Sequence, residues 1–145
     1  MSIKVLYTAH ATATGGRNGH TQTDDGIVSL DLSIPKEMGG PGKPGTATPE
    51  HLFAAGYAAC FGSACEFVSR QMKLIPKSIV VHCAVSIGQP PAGGFGLAAA
   101  LTVDVTGLSQ TDAEKVVNAG HGLCPYSNAI KGNVDVTVKV NAAAG

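Results

Sequence analysis

From Leu52 to Val68 apolar or small residues occur on every side of what would be a helix. Thr48 stands where an N-cap is expected. Pro49 takes the first helical position, where its missing N–H is harmless, and Glu50 puts an acid in the positively polarised first turn. The pattern predicts one helix from Pro49 to Met72, about six turns long. A helix that is hydrophobic all round must be buried on all sides. A chain of 145 residues can hardly surround it, so part of its cover is expected from a second subunit.

The flanking segments alternate with period two. Ile3, Val5, Tyr7, Ala9 and Ala11 share one face, as do Val28, Leu30, Leu32 and Ile34 after the Asp24-Asp25-Gly26 turn. With His20 to Thr23 as a short polar strand between them, these predict a three-stranded antiparallel meander. Gly39 to Gly45 is a loop rich in helix and strand breakers, free to move. After Pro76 a second hairpin is expected, with Ile79 to Ile87 and Leu97 to Val105 as its strands. Ser109 caps a further helix with Asp112 at the capping-box distance, and Val134 to Val140 forms the last strand. The order βββ-α-ββ-α-β, with hairpins rather than βαβ crossovers, indicates an α+β fold. Residues 1–145 are read as a single domain.

Ten basic residues balance ten acidic ones, with no Lys/Arg cluster and no Trp, so neither nucleic acid nor an anionic membrane surface is an expected partner. No stretch is read as a membrane span, the N-terminus lacks a long apolar segment, and a cytoplasmic location is expected. There reduced cysteines serve as core residues or reactive groups. The nearest approaches to a ligand cluster, His82-Cys83 and His121-x-x-Cys124, lack the repeated spacing of a zinc site, so no metal is expected.

Cys83 shares an alternating face with Val81 and Val85 and reads as packing. Cys65, about 140° around the helix from Cys60, cannot bridge to it and also reads as core. Cys60 and Cys124 differ in setting. Cys124 ends the buried stripe of its helix, and Pro125 turns the chain out of the helix there, which puts a thiol on a hinge. Spacing alone leaves open whether the two meet; they would need Cα atoms about 4.4–6.8 Å apart for a disulfide. A reactive thiolate in an apolar site needs a cation. Of the two arginines, Arg70 complements the C-terminal end of the long helix, whereas Arg17, in the turn Gly15-Gly16-Arg17-Asn18-Gly19, has no local partner. Glu50 is the candidate to hold its guanidinium in a bidentate clamp.

In this order Gly16-Arg17-Asn18-Gly19, Pro35-Lys36-Glu37-Met38-Gly39-Gly40, Pro49 to Phe61 and Cys124-Pro125-Tyr126-Ser127 resemble the organic hydroperoxide resistance proteins of the OsmC/Ohr superfamily. The resemblance implies antiparallel sheets around a long central helix in an intertwined homodimer. It also implies Cys60 as peroxidatic cysteine, Cys124 as resolving cysteine, Arg17 and Glu50 as the polar pair that holds the thiolate, and no bound cofactor. The external reductant would be dihydrolipoamide or a lipoylated protein rather than glutathione. Thr48 and His51 depart from the Asn and Gln common in the family, which puts helix capping in question more than chemistry.

The expected activity is thus a two-cysteine peroxidase acting on alkyl or fatty-acid hydroperoxides, with Leu52, Phe53, Phe61, Phe67 and Met38 as apolar surroundings. Two alternatives stand beside it: an OsmC-type peroxidase with other substrates, and a thiol redox sensor or binding module. Glu50 and Cys60 are ten residues, about 15 Å, apart on one helix. A site that uses both is therefore expected to be shared between antiparallel copies of that helix.

Overall fold

Backbone contacts gather the computed structural model, which describes residues 2–145, into two units, Met1–Leu52 and Phe53–Gly145. In the first, strands β1 (Ala11–Thr14), β2 (His20–Thr23) and β3 (Ser29–Asp31) form the expected antiparallel meander in that order. The β2–β3 turn is fixed by Asp25, whose Oδ1 accepts from Thr23 Oγ1 at 2.6 Å and from the Ile27 N–H at 3.0 Å.

The first strand lies after the segment whose alternation predicts it: of Ile3 to Ala11 only Ala11 belongs to β1. Residues 2–10 form no strand, and Ile3, Val5, Leu6 and Tyr7 are largely exposed. Alternation marks a segment suited to a half-buried pleat, but a strand forms only beside a partner, and among the described residues no strand pairs with this one.

The glycine-rich loop is also more constrained than its composition implies. A 3-10 turn, Lys36–Met38, opens it. The Gly40 and Gly42 N–H groups donate to Pro35 and Ile34 carbonyls at 3.1 and 2.9 Å. Ser33 Oγ accepts from the Lys43 N–H at 3.0 Å and lies 2.6 Å from Thr46 Oγ1. These bonds tie the loop to the Ser33–Pro35 segment that precedes it.

Helix α1 (Pro49–Met72) has the predicted bounds. Its cap is a reciprocal box in which His51 takes the usual Glu or Gln role. The His51 N–H donates to Thr48 Oγ1 at 3.3 Å, and the Thr48 N–H donates to His51 Nδ1 at 3.0 Å. The two departures from the family pattern therefore compensate one another.

Along α1 the buried residues are Tyr57, Phe61, Ala64, Cys65, Val68 and Ser69, a single stripe at helical spacing. Ala55, Ala59, Ser63 and Phe67 are exposed. One chain thus covers one face of α1 only, in keeping with the expectation that 145 residues cannot surround it. By length and composition α1 also reaches what could cross a membrane, contrary to the reading that no stretch does; its buried stripe marks it as a core helix.

That core is completed by strands β4 (Ser78–Gly88), β5 (Gly96–Thr106) and β6 (Asp135–Ala143) and helix α2 (Gln110–Leu123). β5 is central and buries Ala99, Leu101, Val103 and Val105 beside Val116 and Val117 of α2. Burying each of these leucine and valine side chains contributes about 1.5–3 kcal/mol. The β4–β5 hairpin is antiparallel as expected, but β5 and β6 pair in parallel, Ala98 opposite Asp135 to Thr106 opposite Ala143. The sheets are thus not all antiparallel. The helical segment between β5 and β6 is a crossover connection, long enough to return the chain to the same end of the sheet.

Ser109 caps α2 as predicted, accepting from the Asp112 N–H at 3.2 Å. Beyond Cys124 the chain does not simply leave the helix: Pro125 starts a further short helix, α3 (Pro125–Ile130), since a proline is favoured in a first turn, where no N–H is needed.

Candidate active site

In the first unit Arg17 stands on a 3-10 turn, Gly16–Asn18, between β1 and β2. The turn requires its glycines: Gly15 has a φ of 79°, and a Cβ on Gly19 would lie 1.7 Å from the Thr14 carbonyl oxygen. Asn18 ties it down by accepting the Ile34 N–H at 2.9 Å.

Arg17 Nη1 and Nη2 donate to Glu50 Oε2 and Oε1 at 2.9 and 2.7 Å. This is the expected two-pronged clamp, with Glu50 the more shielded partner. The hydrogen bond from Arg17 holds the Glu50 carboxyl below its ordinary range, and the same bond keeps Arg17 charged.

In the second unit the structure brings Cys60 of α1 and Cys124 together. The Cys124 S–H is directed at Cys60 Sγ, with the sulfurs 3.6 Å apart and both thiols free. Cys124 is fully buried, whereas Cys60 retains partial exposure. Burial pushes the Cys60 thiol above its ordinary value, the Tyr126 backbone N–H pulls it back, and the neighbouring Cys124 sulfur adds to the rise.

The other two cysteines behave as packing. Burial takes Cys65 up to about 12 and raises Cys83 as well, which disfavours the thiolate at both.

Tyr57, one turn before Cys60, joins Phe53, Phe61 and Tyr126 in an aromatic cluster with ring centroids 6.1–6.4 Å apart. Of the apolar surroundings expected for Cys60, Phe53 and Phe61 fall in this cluster. Phe67 is 44% exposed and stands outside it, and Leu52 and Met38 belong to the first unit.

A polar chain runs through the same region. Tyr57 Oη lies 2.6 Å from Ser127 Oγ, which lies 2.8 Å from His121 Nδ1. Sequence reasoning missed these three. Tyr57 was hidden among the apolar residues of α1, and His121 was considered only as a metal ligand. The available signals were the i, i+3 spacing of Tyr57 and Cys60 and the serine that follows Cys124 by three.

Residues 40–139 match the family described as OsmC-like protein. An organic hydroperoxide resistance protein of Xanthomonas axonopodis pv. citri (strain 306) is 50% identical over 136 residues, covering 93% of this chain and 94% of that one. Among solved structures, an organic hydroperoxide resistance protein OsmC from Legionella pneumophila shares 50% identity at a TM-score of 0.89, covering 95% of this chain and 99% of that one. The corresponding figures for OhrB of Bacillus subtilis are 42%, 0.86, 94% and 100%. With its long central helix, its two three-stranded sheets and likeness over nearly its whole length, this chain belongs to the OsmC-like family and, within it, to the organic hydroperoxide resistance proteins.

Proposed function

We propose that this chain is a thiol peroxidase that reduces organic hydroperoxides to alcohols through Cys60 and Cys124. The names of its relatives support peroxide detoxification. The observation that carries the finer reading is the approach of the two sulfurs to 3.6 Å, one on α1 and the other at the α2–α3 hinge.

In the first step the Cys60 thiolate attacks the terminal peroxide oxygen. The O–O bond breaks, the alkoxide takes a proton and leaves as alcohol, and Cys60 becomes a sulfenic acid. Cys124 then displaces hydroxide, which leaves with the Cys124 proton as water, and a disulfide forms. An external dithiol restores both thiols by exchange; dihydrolipoamide or a lipoylated protein in the cytoplasm is the proposed donor. The aromatic cluster beside Cys60 favours alkyl or fatty-acid hydroperoxides over hydrogen peroxide.

The first step needs a thiolate, yet burial disfavours one at Cys60, so a cation must act there. Because α1 is unbroken from Pro49 to Met72, Glu50 and Cys60 stand about 15 Å apart along its axis. We therefore assign the cation to Arg17 of a second copy, clamped by that copy's Glu50, in a homodimer with two composite sites.

The test is consumption of cumene hydroperoxide with dihydrolipoamide, dithiothreitol or reduced glutathione. Sustained turnover with the dithiols, feeble turnover with glutathione and none in Cys60→Ser are expected. A single oxidation event without turnover would instead indicate a redox sensor, and full activity in Cys60→Ser would refute the assignment of Cys60.

A further inference from the structure

We propose that Tyr57, Ser127 and His121 act as a positioning chain that holds Cys124 against Cys60, and thereby decides whether oxidised Cys60 is resolved to the disulfide or over-oxidised. The inference rests on the thiol-peroxidase reading above.

Cys124 is both the residue that closes α2 and the N-cap of α3. Its N–H donates to the Gly120 carbonyl at 2.8 Å, and its carbonyl accepts the Asn128 N–H at 3.0 Å. Its place therefore follows the placement of the two helices. α3 has only six residues, too few to hold itself as an independent helix, so tertiary ties must fix it. Ser127 is its one buried residue.

The Ser127 hydroxyl reaches Tyr57 on α1 at 2.6 Å and His121 on α2 at 2.8 Å. Tyr57 is one turn from Cys60, and His121 and Ser127 bracket Cys124 by three residues on each side. One hydroxyl thus joins all three helices that carry or flank the cysteine pair.

His121 and Ser127 also line a cavity of about 230 Å³ with Asn128 and Lys131. α3 therefore borders open space on that side.

Resolution requires the sulfurs to move from 3.6 Å to about 2.05 Å. The S–O bond of the Cys60 sulfenic acid and the S–H bond of Cys124 break, the S–S bond forms and water leaves. In the competing reaction a second hydroperoxide oxidises the sulfenic acid to sulfinic acid and is itself reduced to alcohol. Both routes start from the same sulfenic acid, so their ratio reports the placement of Cys124 and does not depend on how fast Cys60 is first oxidised.

The experiment exposes the full chain and its Tyr57→Phe, Ser127→Ala, Ser127→Thr and Tyr57→Phe/Ser127→Ala variants to graded cumene hydroperoxide. The ratio of Cys60 sulfinic acid to Cys60–Cys124 disulfide is read by mass spectrometry. A misplacement of about 1 Å can cost a reaction about 100-fold, so Tyr57→Phe and Ser127→Ala should each raise the ratio by roughly tenfold or more. The double variant should be little worse than the more severe single, because both changes break one chain. Ser127→Thr should restore the ratio toward that of the unmodified chain, since it keeps the hydroxyl and its methyl has the cavity beside it.

Tyr57→Phe keeps its ring, so an unchanged ratio in that variant and in Ser127→Ala would overturn the inference while leaving the proposed function standing. If the unmodified chain forms neither sulfenic acid nor disulfide with peroxide, the thiol-peroxidase reading falls, and this inference with it.

Discussion

A thiol partly buried beside a second thiol resists ionisation, and Cys60 is such a thiol. Its chemistry therefore depends on which cation reaches it and how rigidly that cation is held. The fork-to-fork pairing of Arg17 with Glu50 uses the planar geometry that lysine lacks. Arg17→Lys is expected to lower peroxidase activity by about 10- to 100-fold, the scale of losing one aligned electrostatic donor, while Arg70→Lys leaves it near that of the unmodified chain; steady-state assays of the two variants check this.

Glu50 sets the pH behaviour of the clamp. Its folded-state value lies below the ordinary 4.5, so the stability it contributes is fully present above pH 4.5 and is lost as pH falls through the lower folded value. Denaturation of the chain and of Glu50→Gln across acid pH should show a difference that is constant above 4.5 and shrinks below it. A difference that grows on acidification would contradict the direction of the shift.

At the scale of elements, the crossing of α1 and α2 is set by one missing side chain. A Cβ on Gly120 would lie 2.6 Å from Cys65 Sγ and 3.0 Å from Cys65 Cα. Gly120→Ala must push the helices apart and should destabilise the chain by about 1–3 kcal/mol. Gly122, in the same helix, would meet nothing, and Gly122→Ala should stabilise by up to about 1 kcal/mol through helix propensity. Urea melts of the pair separate packing from propensity.

The other end of α1 offers a second comparison. The Thr48–His51 box should survive in His51→Gln and lose about 1 kcal/mol in His51→Ala, again read by denaturation. Equal stability of these two variants would mean that the imidazole contributes nothing to the cap.

At the scale of the whole molecule, the proposed composite sites make a prediction that no single-chain arrangement shares. Glu50→Ala and Cys60→Ser homodimers should each be nearly inactive. In a verified heterodimer of the two, one site carries both defects and the other carries neither, so about half the activity of the unmodified dimer should return. The absence of recovery would place the complete site within one chain. The exposed small residues Ala55, Ala59 and Ser63 on α1 are the face on which a second helix could approach closely, and the exposed apolar residues of 2–10 are a strand sequence still without a partner.

The sequence by itself determined what depends on short range. The Pro49–Met72 helix and the Ser109 cap follow from local hydrogen bonding, β2, β3 and the β4–β5 hairpin from alternation and turns, and the inability of Cys65 to bridge to Cys60 from its angle around the helix. The identity of the polar pair was also legible, because an arginine without a local partner and an acid in a first helical turn are few in this chain. What the tertiary structure alone decided is whatever depends on distant segments meeting. The parallel pairing of β6, the failure of residues 3–10 to form a strand and the single buried stripe of α1 all depend on which partner lies alongside. The second helix beginning at Pro125 needed its surroundings too, since six residues do not hold a helix alone. Most of all, the bonds from Tyr57 to Ser127 and from Ser127 to His121 join three helices across as many as 70 positions, a distance at which local propensity carries no information and only packing brings side chains together.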